Sequence, residues 1–457
     1  MSSRSSTLFS DRVSLICFTA SAALLIFVLG IAVCRYQWFP YPYVELALEG
    51  FRHVRGRASD RLPWYYRRVT WKTTEGILNT DRAWEGLNLV TRVADDKKLA
   101  AEILDMDGRV LHRWPINWFD IWPDADHLPE AAVPKEAPGT HIHGAVVLED
   151  GDLVFNFEHL GLVRLDRRGD VVWRLPYQTH HSIHRHTDGN LWVCGQRHHA
   201  DRHPRFPNRV PPFQEYTIIE VTPDGRIIEE WFVAELLREN GYQGLLHLGG
   251  LDNHSTETRG DHLHLNDAEP FPDSMNEGTF RKGDVLVSLR NINTVFVFNR
   301  RSRKVTFVST GRFVRQHDPD FLDGERFSVF DNNNIADEAH GHQSRIVILT
   351  AGGEAPEVVF EGRPDLPFYS NIMGKHQWLP NGNLLITDSM QGCAFEIDPQ
   401  GDVVWEYVNY VDRNTIGLVE EVQRLSPRLR PLFAGTPDVG LGDPDGRGPD
   451  ARAAQHP

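Results

Sequence analysis

Short apolar runs separated by turn residues follow one another along the chain from about residue 86. One phrase recurs in this pattern: an apolar run, an Asp-Gly or Asp-x-x-Gly turn, and a second run that ends in tryptophan. Its four copies lie at residues 101–114, 165–173, 221–231 and 397–405. Turn residues between two alternating apolar runs are typical of β-hairpins, so each copy predicts one hairpin.

A second phrase begins with histidine. A short strand pattern and then an Asp-Gly or Asn-Gly turn follow His143, His181, His317 and His376. Self-similarity at spacings of roughly 40 to 60 residues is typical of propellers built from four-stranded blades. Because a propeller brings the first strand of every blade to one axis, these histidines are predicted to meet at the mouth of a single central channel.

The two phrases together define six repeated units. The units lie near residues 86–117, 141–176, 181–234, 264–310, 317–362 and 376–410. We therefore predict an all-β fold, a six-bladed β-propeller over residues 86–410 with an N-terminal transmembrane helix. The first unit looks one strand short. Two insertions, residues 197–214 and 234–261, interrupt the spacing and are predicted to be long loops, the second beginning with a helical stretch.

The segment from Val13 to Cys34 contains no charged residue over 22 positions. That length crosses a bilayer as a helix, so we predict a transmembrane signal anchor at residues 13–34. A cleaved signal peptide and a lipoprotein signal are the alternatives, but the stretch exceeds a usual signal h-region and Val33 stands where a lipoprotein needs a small residue. Residues 1–12 are then cytoplasmic, and the protein is predicted to cross a bacterial inner membrane once, with its propeller on the periplasmic side.

The segments outside the propeller, the net charge and the cysteines further restrict the possible structures and partners. Residues 35–85 are predicted to form a juxtamembrane helix and linker, and residues 411–457 a C-terminal helix and a disordered, Pro- and Gly-rich tail. The net charge of −15 argues against a nucleic-acid partner. Cys194 and Cys393 fall on different units and are predicted to be free, buried thiols. No CxxC pair occurs, which disfavours a cysteine-based zinc site.

Several short motifs resemble one known family. They are His264-Leu-Asn266, Ser288-Leu-Arg290-Asn291, Gln316-His317 and Phe330-Asp-Asn-Asn333. In their order and spacing they resemble the bacterial arylsulfotransferases, PAPS-independent enzymes on a six-bladed propeller, over roughly residues 140–410. The chain departs from the family pattern at Asn291, where a histidine is usual, and at Asn333, where a glycine is usual.

The resemblance implies a site and a reaction. His317 matches the histidine that is transiently sulfated, His264 and Arg290 match the partners that hold the sulfuryl oxygens and assist proton movement, and His181 matches the remaining active-site histidine. The expected reaction moves a sulfuryl group from a phenolic sulfate ester to a phenolic acceptor through sulfohistidine. No metal, nucleotide or other cofactor is expected, and the partners are phenolic small molecules.

Other interpretations remain open from the residues alone. A histidine at a strand head often has a structural role, which we favour for His143 and His376. Glu158-His159 is interpreted as an ordinary edge-strand pair, and the histidines of segment 197–214 as part of a solvated loop. The converging imidazoles would also suit a metalloenzyme with zinc, copper or iron. A membrane-anchored scaffold that binds protein partners through the juxtamembrane segment and the long loops is the non-catalytic alternative.

Overall fold

The computed structural model describes residues 3–36, 62–69, 76–248, 256–335, 343–353 and 355–433. Strands far outnumber helices among the described residues of the chain, which confirms the prediction of a mainly-β protein. The chain divides into two compact units, residues 1–64 and residues 65–457.

The first unit contains one long helix. Helix α1 spans Ser3–Tyr36, and its segment Ser14–Val33 consists of 20 residues with a mean hydropathy of 2.6 and exposed side chains. This length and composition suffice to cross a membrane. The predicted apolar N-terminal helix is therefore confirmed, and it fits a membrane anchor and a signal sequence equally well.

The second unit contains the strands, numbered here in chain order. Those before residue 176 are β1 Tyr66–Arg68, β2 Ile77–Asn79, β3 Leu87–Val93, β4 Leu99–Leu104, β5 Val110–Ile116, β6 Ile142–Val147, β7 Leu153–Phe157, β8 Gly161–Leu165 and β9 Val171–Leu175. The next are β10 Gln178–Arg185, β11 Leu191–His199, β12 Arg209–Val221, β13 Ile227–Phe232, β14 Thr258–Gly260, β15 Leu265–Pro270, β16 Asp284–Leu289, β17 Thr294–Asn299 and β18 Val305–Thr310.

The later strands continue the same numbering. They are β19 His317–Phe321, β20 Arg326–Asp331, β21 Arg345–Thr350, β22 Glu357–Glu361, β23 Lys375–Trp378, β24 Leu384–Asp388, β25 Cys393–Ile397, β26 Val403–Val408, β27 Tyr410–Asp412, β28 Thr415–Gly417 and β29 Val419–Leu425. Short helices in this unit are α2 Trp118–Ile121, α3 Val233–Glu239 and α4 Arg430–Phe433, with 3-10 turns at Asp95–Lys97, Glu130–Ala132, Gln243–His247, Arg290–Ile292 and Pro427–Leu429.

Within the described residues, six antiparallel sheets with four-stranded cores succeed one another. Sheet 1 is β29-β3-β4-β5, sheet 2 is β6 to β9, sheet 3 is β10 to β13, sheet 4 is β15 to β18, sheet 5 is β19 to β22, and sheet 6 is β23 to β26. Strand β14 adds to β12 in parallel, β2 adds to β26, and β1, β28 and β27 form a small sheet of their own.

The first strand of each sheet adjoins the first strand of the next. Contacts run from β29 to β6, β10, β15, β19 and β23, and β23 in turn contacts β29. Apolar side chains fill the space between neighbouring sheets, for example Val146 and Val154 of sheet 2 against Val193 and Ile219 of sheet 3. Packing the apolar faces of neighbouring sheets together removes that surface from water. This packing also places the first strands of neighbouring sheets side by side.

The recurring Asp-x-x-Gly phrase forms hairpin turns, as predicted. In the turn between β8 and β9, the Asp166 carboxylate accepts hydrogen bonds from the backbone N–H groups of Arg168 at 2.7 Å and Asp170 at 3.0 Å. Asp398 makes the equivalent bonds between β25 and β26. An Asp side chain that caps its own turn stabilises the tight reversal.

Three sequence expectations need correction or completion. The predicted linker 35–85 contains strands β1 and β2, and its residues 37–61 and 70–75 lie outside the described residues. The predicted tail begins with strands: β28 and β29 lie beyond residue 410, and β29 supplies the fourth strand that the first unit lacked. Segment 197–214 is mostly an extension of β11 and β12 rather than a free loop. Residues 434–457, predicted to be disordered, also lie outside the described residues.

Candidate active site

Bulges in five first strands turn polar side chains towards one place. The antiparallel register shifts within β6, β10, β15, β19 and β29. The side chains at these shifts include His143, His181, Asn266, Asp318 and Glu420, and all five line one small cavity together with His317 and Lys375. A bulge bends its strand and changes the direction of a side chain. The site is therefore built from β-bulges that recur in the first strands of five sheets.

The backbone around these bulges takes unusual conformations. His181 has φ 55°, His264 φ 53° and Asp318 φ 48°, the left-handed region that residues other than glycine seldom adopt. A Cβ atom on Gly144 would lie 2.1 Å from the carbonyl oxygen of His181. Glycine at this position therefore allows the first strands of sheets 2 and 3 to approach closely at the site.

The orientation of His317 is fixed by Asn332. Both Asn332 and His317 are buried. The Asn332 Nδ2 group donates to the carbonyl oxygens of Ser370 at 2.8 Å and Met373 at 2.7 Å, so its Oδ1 faces His317 Nδ1 at 2.6 Å. An amide oxygen only accepts, and His317 Nδ1 must therefore carry the proton. His317 Nε2 then holds the lone pair, and it is buried without a hydrogen-bond partner among the described residues.

Four side chains contact one another in a row, in the order Asp261, His264, His181 and His180. The Asp261 carboxylate pairs with His264 Nδ1, His264 Nε2 lies 3.2 Å from His181 Nε2, and His181 Nδ1 lies 2.8 Å from His180 Nδ1. Asp261 also accepts a hydrogen bond from the Tyr216 hydroxyl. Each contact between two imidazoles holds one proton between two nitrogens, so the chain is able to pass a proton along its length.

The guanidinium group of Arg290 lies at the end of this chain. Its Nη2 is 3.9 Å from Asp261 Oδ2, and its Nε donates to Asn291 Oδ1 at 3.2 Å. Asn291 Oδ1 also accepts from Arg315, while Asn291 Nδ2 donates to the Asp261 carbonyl oxygen at 2.7 Å. Asn291 thus aligns two guanidinium groups at the position where the family motif usually has histidine. Asp261, Asn291 and Arg315 border an open cavity of about 430 Å³.

Electrostatics hold the central histidines neutral. Burial lowers the pKa of His181 and of His317 well below the ordinary value for histidine, and the positive charge of Arg290 lowers that of His317 further. Burial also lowers the pKa of His264, although the Asp261 carboxylate opposes this shift. A neutral imidazole with a free nitrogen is a competent nucleophile or base.

The structure brings all four sequence-predicted residues together. The ring centroids of His181 and His264 are 4.9 Å apart, and those of His181 and His317 are 6.1 Å apart. Arg290 and His264 are tied by the backbone, because Arg290 N–H donates to the His264 carbonyl oxygen at 2.9 Å.

Two residues that we assigned to other roles also belong to this cluster. The ring of His143 packs on His181 with a centroid distance of 3.9 Å. Glu158 and His159 do pair, with 2.9 Å between Oε1 and Nε2, but they lie in the turn between β7 and β8 and not on an edge strand. The Glu158 carboxylate also lies 2.5 Å from His143 Nδ1. Burial opposes ionisation of Glu158, but the surrounding imidazoles His143, His159 and His181 lower its pKa well below the usual range.

A second polar network borders the cavity. Lys375 Nζ lies 3.0 Å from Ser182 Oγ and 3.5 Å from Asp318 Oδ1. His376 donates its backbone N–H to Asp318 at 2.6 Å, and its Nε2 lies 2.7 Å from Ser328 Oγ. Both ends of His376 are thus engaged, which agrees with the structural role predicted for it.

Sequence reasoning missed His180, Asp261 and Asn332. Each carried a weak signal: His180 directly precedes His181, Asp261 stands three residues before His264, and Asn332 lies inside the motif 330–333 that resembles the family. None of these signals indicates which atom the side chain contacts. That information depends on the register of the strands and on neighbouring loops.

Metal-ligating atoms also converge here. In the part of the chain that the structure describes, three groups bring one ligand atom per residue within 4.8 Å of one another. They are His141–His143–Glu420, His143–Glu158–His181 and Asp318–Asp320–His376.

The chain is similar to several solved structures. They include a protein of unknown function from Bacteroides caccae at 14% identity, with 74% of this chain and 98% of that chain covered and a TM-score of 0.44. A streptogramin B lyase is 12% identical, with 74% and 87% covered and a TM-score of 0.35. A virginiamycin B lyase from Staphylococcus aureus, solved with quinupristin, is 12% identical, with 74% and 88% covered and a TM-score of 0.34. Scores of this size carry no argument about function.

The sequence comparison is more specific. No curated protein matches the chain. The profile of the arylsulfotransferase (ASST) family, however, matches residues 144–410, more than half of the 457 residues. This span contains the bulged strands β10, β15 and β19 and all four predicted site residues. The chain therefore belongs to the arylsulfotransferase family.

Proposed function

We propose that this protein transfers a sulfuryl group from a phenolic sulfate ester to a phenolic acceptor through a sulfohistidine at His317. The observation that carries the proposal is the state of His317: its Nδ1 proton is held by Asn332, and its buried Nε2 faces no hydrogen-bond donor among the described residues. An imidazole locked in one tautomer with a free nitrogen is prepared for nucleophilic attack.

The first half-reaction forms the intermediate. His317 Nε2 attacks the sulfur of the donor, so that an N–S bond forms while the S–O bond to the phenolic oxygen breaks. The bonding electrons leave with the phenolate. The phenolate oxygen takes a proton from the pair of His264 and His181, which enters the reaction with one proton more than two neutral imidazoles, as an imidazolium beside the Asp261 carboxylate. Loss of that proton leaves both imidazoles neutral, as general acid catalysis requires.

The second half-reaction reverses these steps with an acceptor. The acceptor phenol returns a proton to the same imidazole pair, its oxygen attacks sulfur, and the N–S bond breaks. His317 is restored in its neutral form. The products are one new aryl sulfate and the free phenol from the donor, so no nucleotide is consumed.

Arg290 is the residue proposed to hold the sulfuryl oxygens. Its guanidinium is half-buried, with a side-chain exposure of 17%, and Asn291 fixes its Nε. Sulfuryl transfer resembles phosphoryl transfer in spreading negative charge over the equatorial oxygens, and a fixed cation stabilises that charge. The fork of a guanidinium matches two such oxygens.

The wider architecture belongs to the same proposal. We infer that sheets 1 to 6 are the blades of a six-bladed propeller, since the first strands contact one another in a closed order and β29 joins the two ends of the chain in sheet 1. The propeller is proposed to lie on the periplasmic side of the inner membrane, tethered by α1. Protease added to spheroplasts should then digest the second unit, whereas full protection contradicts this placement.

The deciding experiment measures the intermediate. Purified protein is incubated with 4-nitrophenyl sulfate, and nitrophenolate release and intact mass are recorded with and without phenol. We expect a burst of nitrophenolate and an adduct of one sulfuryl group, both absent in H317A. The matched control is H112A, because His112 is also buried, and burial lowers its pKa to about 4, but it packs against Trp114 in sheet 1. An adduct that persists in H317A, or no adduct and no turnover in the wild type, refutes the proposal.

A further inference from the structure

The carboxylate of Glu420 is buried with few polar partners. Glu420 is only 2% exposed, and neither of its carboxylate oxygens has a hydrogen bond of normal geometry to a described residue. The imidazole Nδ1 of His141 lies 2.8 Å from Oε1, close enough for an ion pair when His141 is protonated, but it leaves the second oxygen, Oε2, without a partner among the described residues. Buried carboxylates are normally paired and hydrogen-bonded or bound to a metal, so this side chain requires an explanation.

The residues around Glu420 are suited to a metal. One nitrogen each of His141 and His143 and one oxygen of Glu420 lie within 4.8 Å of one another. His143 presents its Nδ1 to the Glu158 carboxylate at 2.5 Å, which leaves Nε2 with the lone pair. A carboxylate that orients a histidine from behind is the usual support for a metal ligand.

The two other groups of ligand atoms are less suitable, because their members are already engaged. In the group that contains His143, Glu158 and His181, the Glu158 carboxylate bonds His143 and the two nitrogens of His181 face His180 and His264. In the other group, His376 is hydrogen-bonded at both nitrogens.

We propose that His141, His143 and Glu420 bind one divalent transition metal of the zinc class. Two imidazoles and one carboxylate form a ligand set that suits Zn²⁺. Glu420 lies on β29 of sheet 1, whereas His143 lies on β6 of sheet 2 and His141 directly precedes it. The ion would thus fasten the strand that completes sheet 1 to the neighbouring sheet. This role is stabilisation of the fold. His143 and Glu420 also line the cavity that contains His317, but the ion takes no part in the proposed sulfuryl transfer.

The test compares metal binding in three proteins. The full chain, without a histidine tag, is stripped with EDTA in detergent and titrated with Zn²⁺ in the presence of a competing chelator. We expect one Zn²⁺ per chain, a dissociation constant at least about 100-fold higher in E420Q, and no change in E215Q. Glu215 is the matched control because its buried carboxylate lies 2.8 Å from His199 Nε2 and belongs to none of the three groups among the described residues.

Thermal unfolding provides the second readout. The Tm of the wild type should rise with Zn²⁺ concentration because a ligand that binds only the folded state stabilises it, and the Tm of E420Q should not respond. If E420Q fails to fold in EDTA by circular dichroism, H141N replaces it. Equal Zn²⁺ affinity in the wild type and in the folded variant, or no binding by the wild type, overturns the proposal. The sulfuryl adduct at His317 is measured on the EDTA-stripped protein, so that failure of either proposal is recognised separately.

Discussion

Replacing Asn332 with alanine tests the central claim about His317. The Asn332 side chain makes three hydrogen bonds: it accepts from His317 Nδ1 at 2.6 Å and donates to the carbonyl oxygens of Ser370 at 2.8 Å and Met373 at 2.7 Å. All three are buried. At about 1 kcal/mol each, their loss should lower the free energy of unfolding by roughly 3 kcal/mol.

The effect on the reaction comes from one of these bonds. Without the Asn332 oxygen, the proton of His317 no longer favours Nδ1, and the ring is free to turn. A hydrogen bond of about 1 to 1.5 kcal/mol corresponds to about a tenfold change in rate. We therefore expect the burst of nitrophenolate from 4-nitrophenyl sulfate to slow about tenfold or more in N332A, measured by stopped-flow absorbance under conditions where the variant is folded.

A matched control separates this effect from a general loss of stability. Asn334 lies in the same loop, donates to the Asn371 carbonyl oxygen at 2.9 Å and accepts from the Tyr369 hydroxyl at 3.3 Å, but it does not contact His317. N334A should lose stability with little change in the burst. The hydrogen bond to Asn332 also raises the pKa of His317, so the acid limb of the pH profile should move to lower pH in N332A alone. Equal burst rates and equal pH profiles in folded N332A and N334A refute the reasoning.

Three further changes should have measurable effects. In G144A, the new methyl group would meet the His181 carbonyl oxygen, and overpacking of this kind should cost about 1 to 3 kcal/mol in thermal unfolding; an unchanged Tm contradicts the close approach. In D261N, the pKa of His264 should fall because the carboxylate that raises it is gone, so donors with strongly basic phenolates should slow more than 4-nitrophenyl sulfate. Because the pKa of His317 lies well below 6.5, the burst rate should hold as the pH falls through 6.5 and decline only at lower pH; a midpoint at 6.5 would show an ordinary histidine.

The repeated hairpins were predictable because their causes are local. An Asp-x-x-Gly turn carries its own capping carboxylate, as at Asp166 and Asp398, and needs no distant partner. The alternating apolar runs on both sides then fix which face of each strand is buried. The two thiols were predicted from the unit boundaries, because cysteines in different units lie too far apart to form a disulfide. Cys194 and Cys393 are indeed free and buried.

Strand β29 was missed because its stability comes from distant partners. Its sequence, Val-Glu-Glu-Val-Gln-Arg-Leu, has too many charged residues to resemble a buried strand. In the fold, Arg424 pairs with Glu396 at 3.0 Å, and its Nε donates to Asn88 at 2.7 Å. Glu421 accepts from the backbone N–H of Ala145 at 3.0 Å. Glu396 and Ala145 lie on other sheets, and Asn88 lies on a strand more than three hundred residues earlier. No local sequence pattern contains this information.

The convergence of the candidate residues was predictable from the sequence, but the contacts of their individual atoms were not, and the bulges explain the difference. His181, His264, Arg290 and His317 were selected as candidates because motifs keep them in order along the chain. Whether a histidine presents Nδ1 or Nε2 to its neighbours depends on where the register shifts, and a register shift is a property of two strands together. Asn332 illustrates the same limit, because its role depends on two carbonyl groups that lie about forty residues further along the chain.

A site built from bulges in neighbouring first strands has a physical consequence for its charges. Each bulge brings a polar side chain into a small buried volume, where an unpaired charge is costly. His181 and His317 avoid this cost by remaining neutral. Glu158 and Asp261 keep their charge because imidazoles contact them, and Asp261 also accepts a hydrogen bond from the Tyr216 hydroxyl. The neutral imidazole of the proposed nucleophile His317, the shared protons and the paired carboxylates are therefore parts of one electrostatic arrangement. The charge of Arg290 acts on His317, and in the proposed reaction a sulfuryl group is the kind of anion that would balance it.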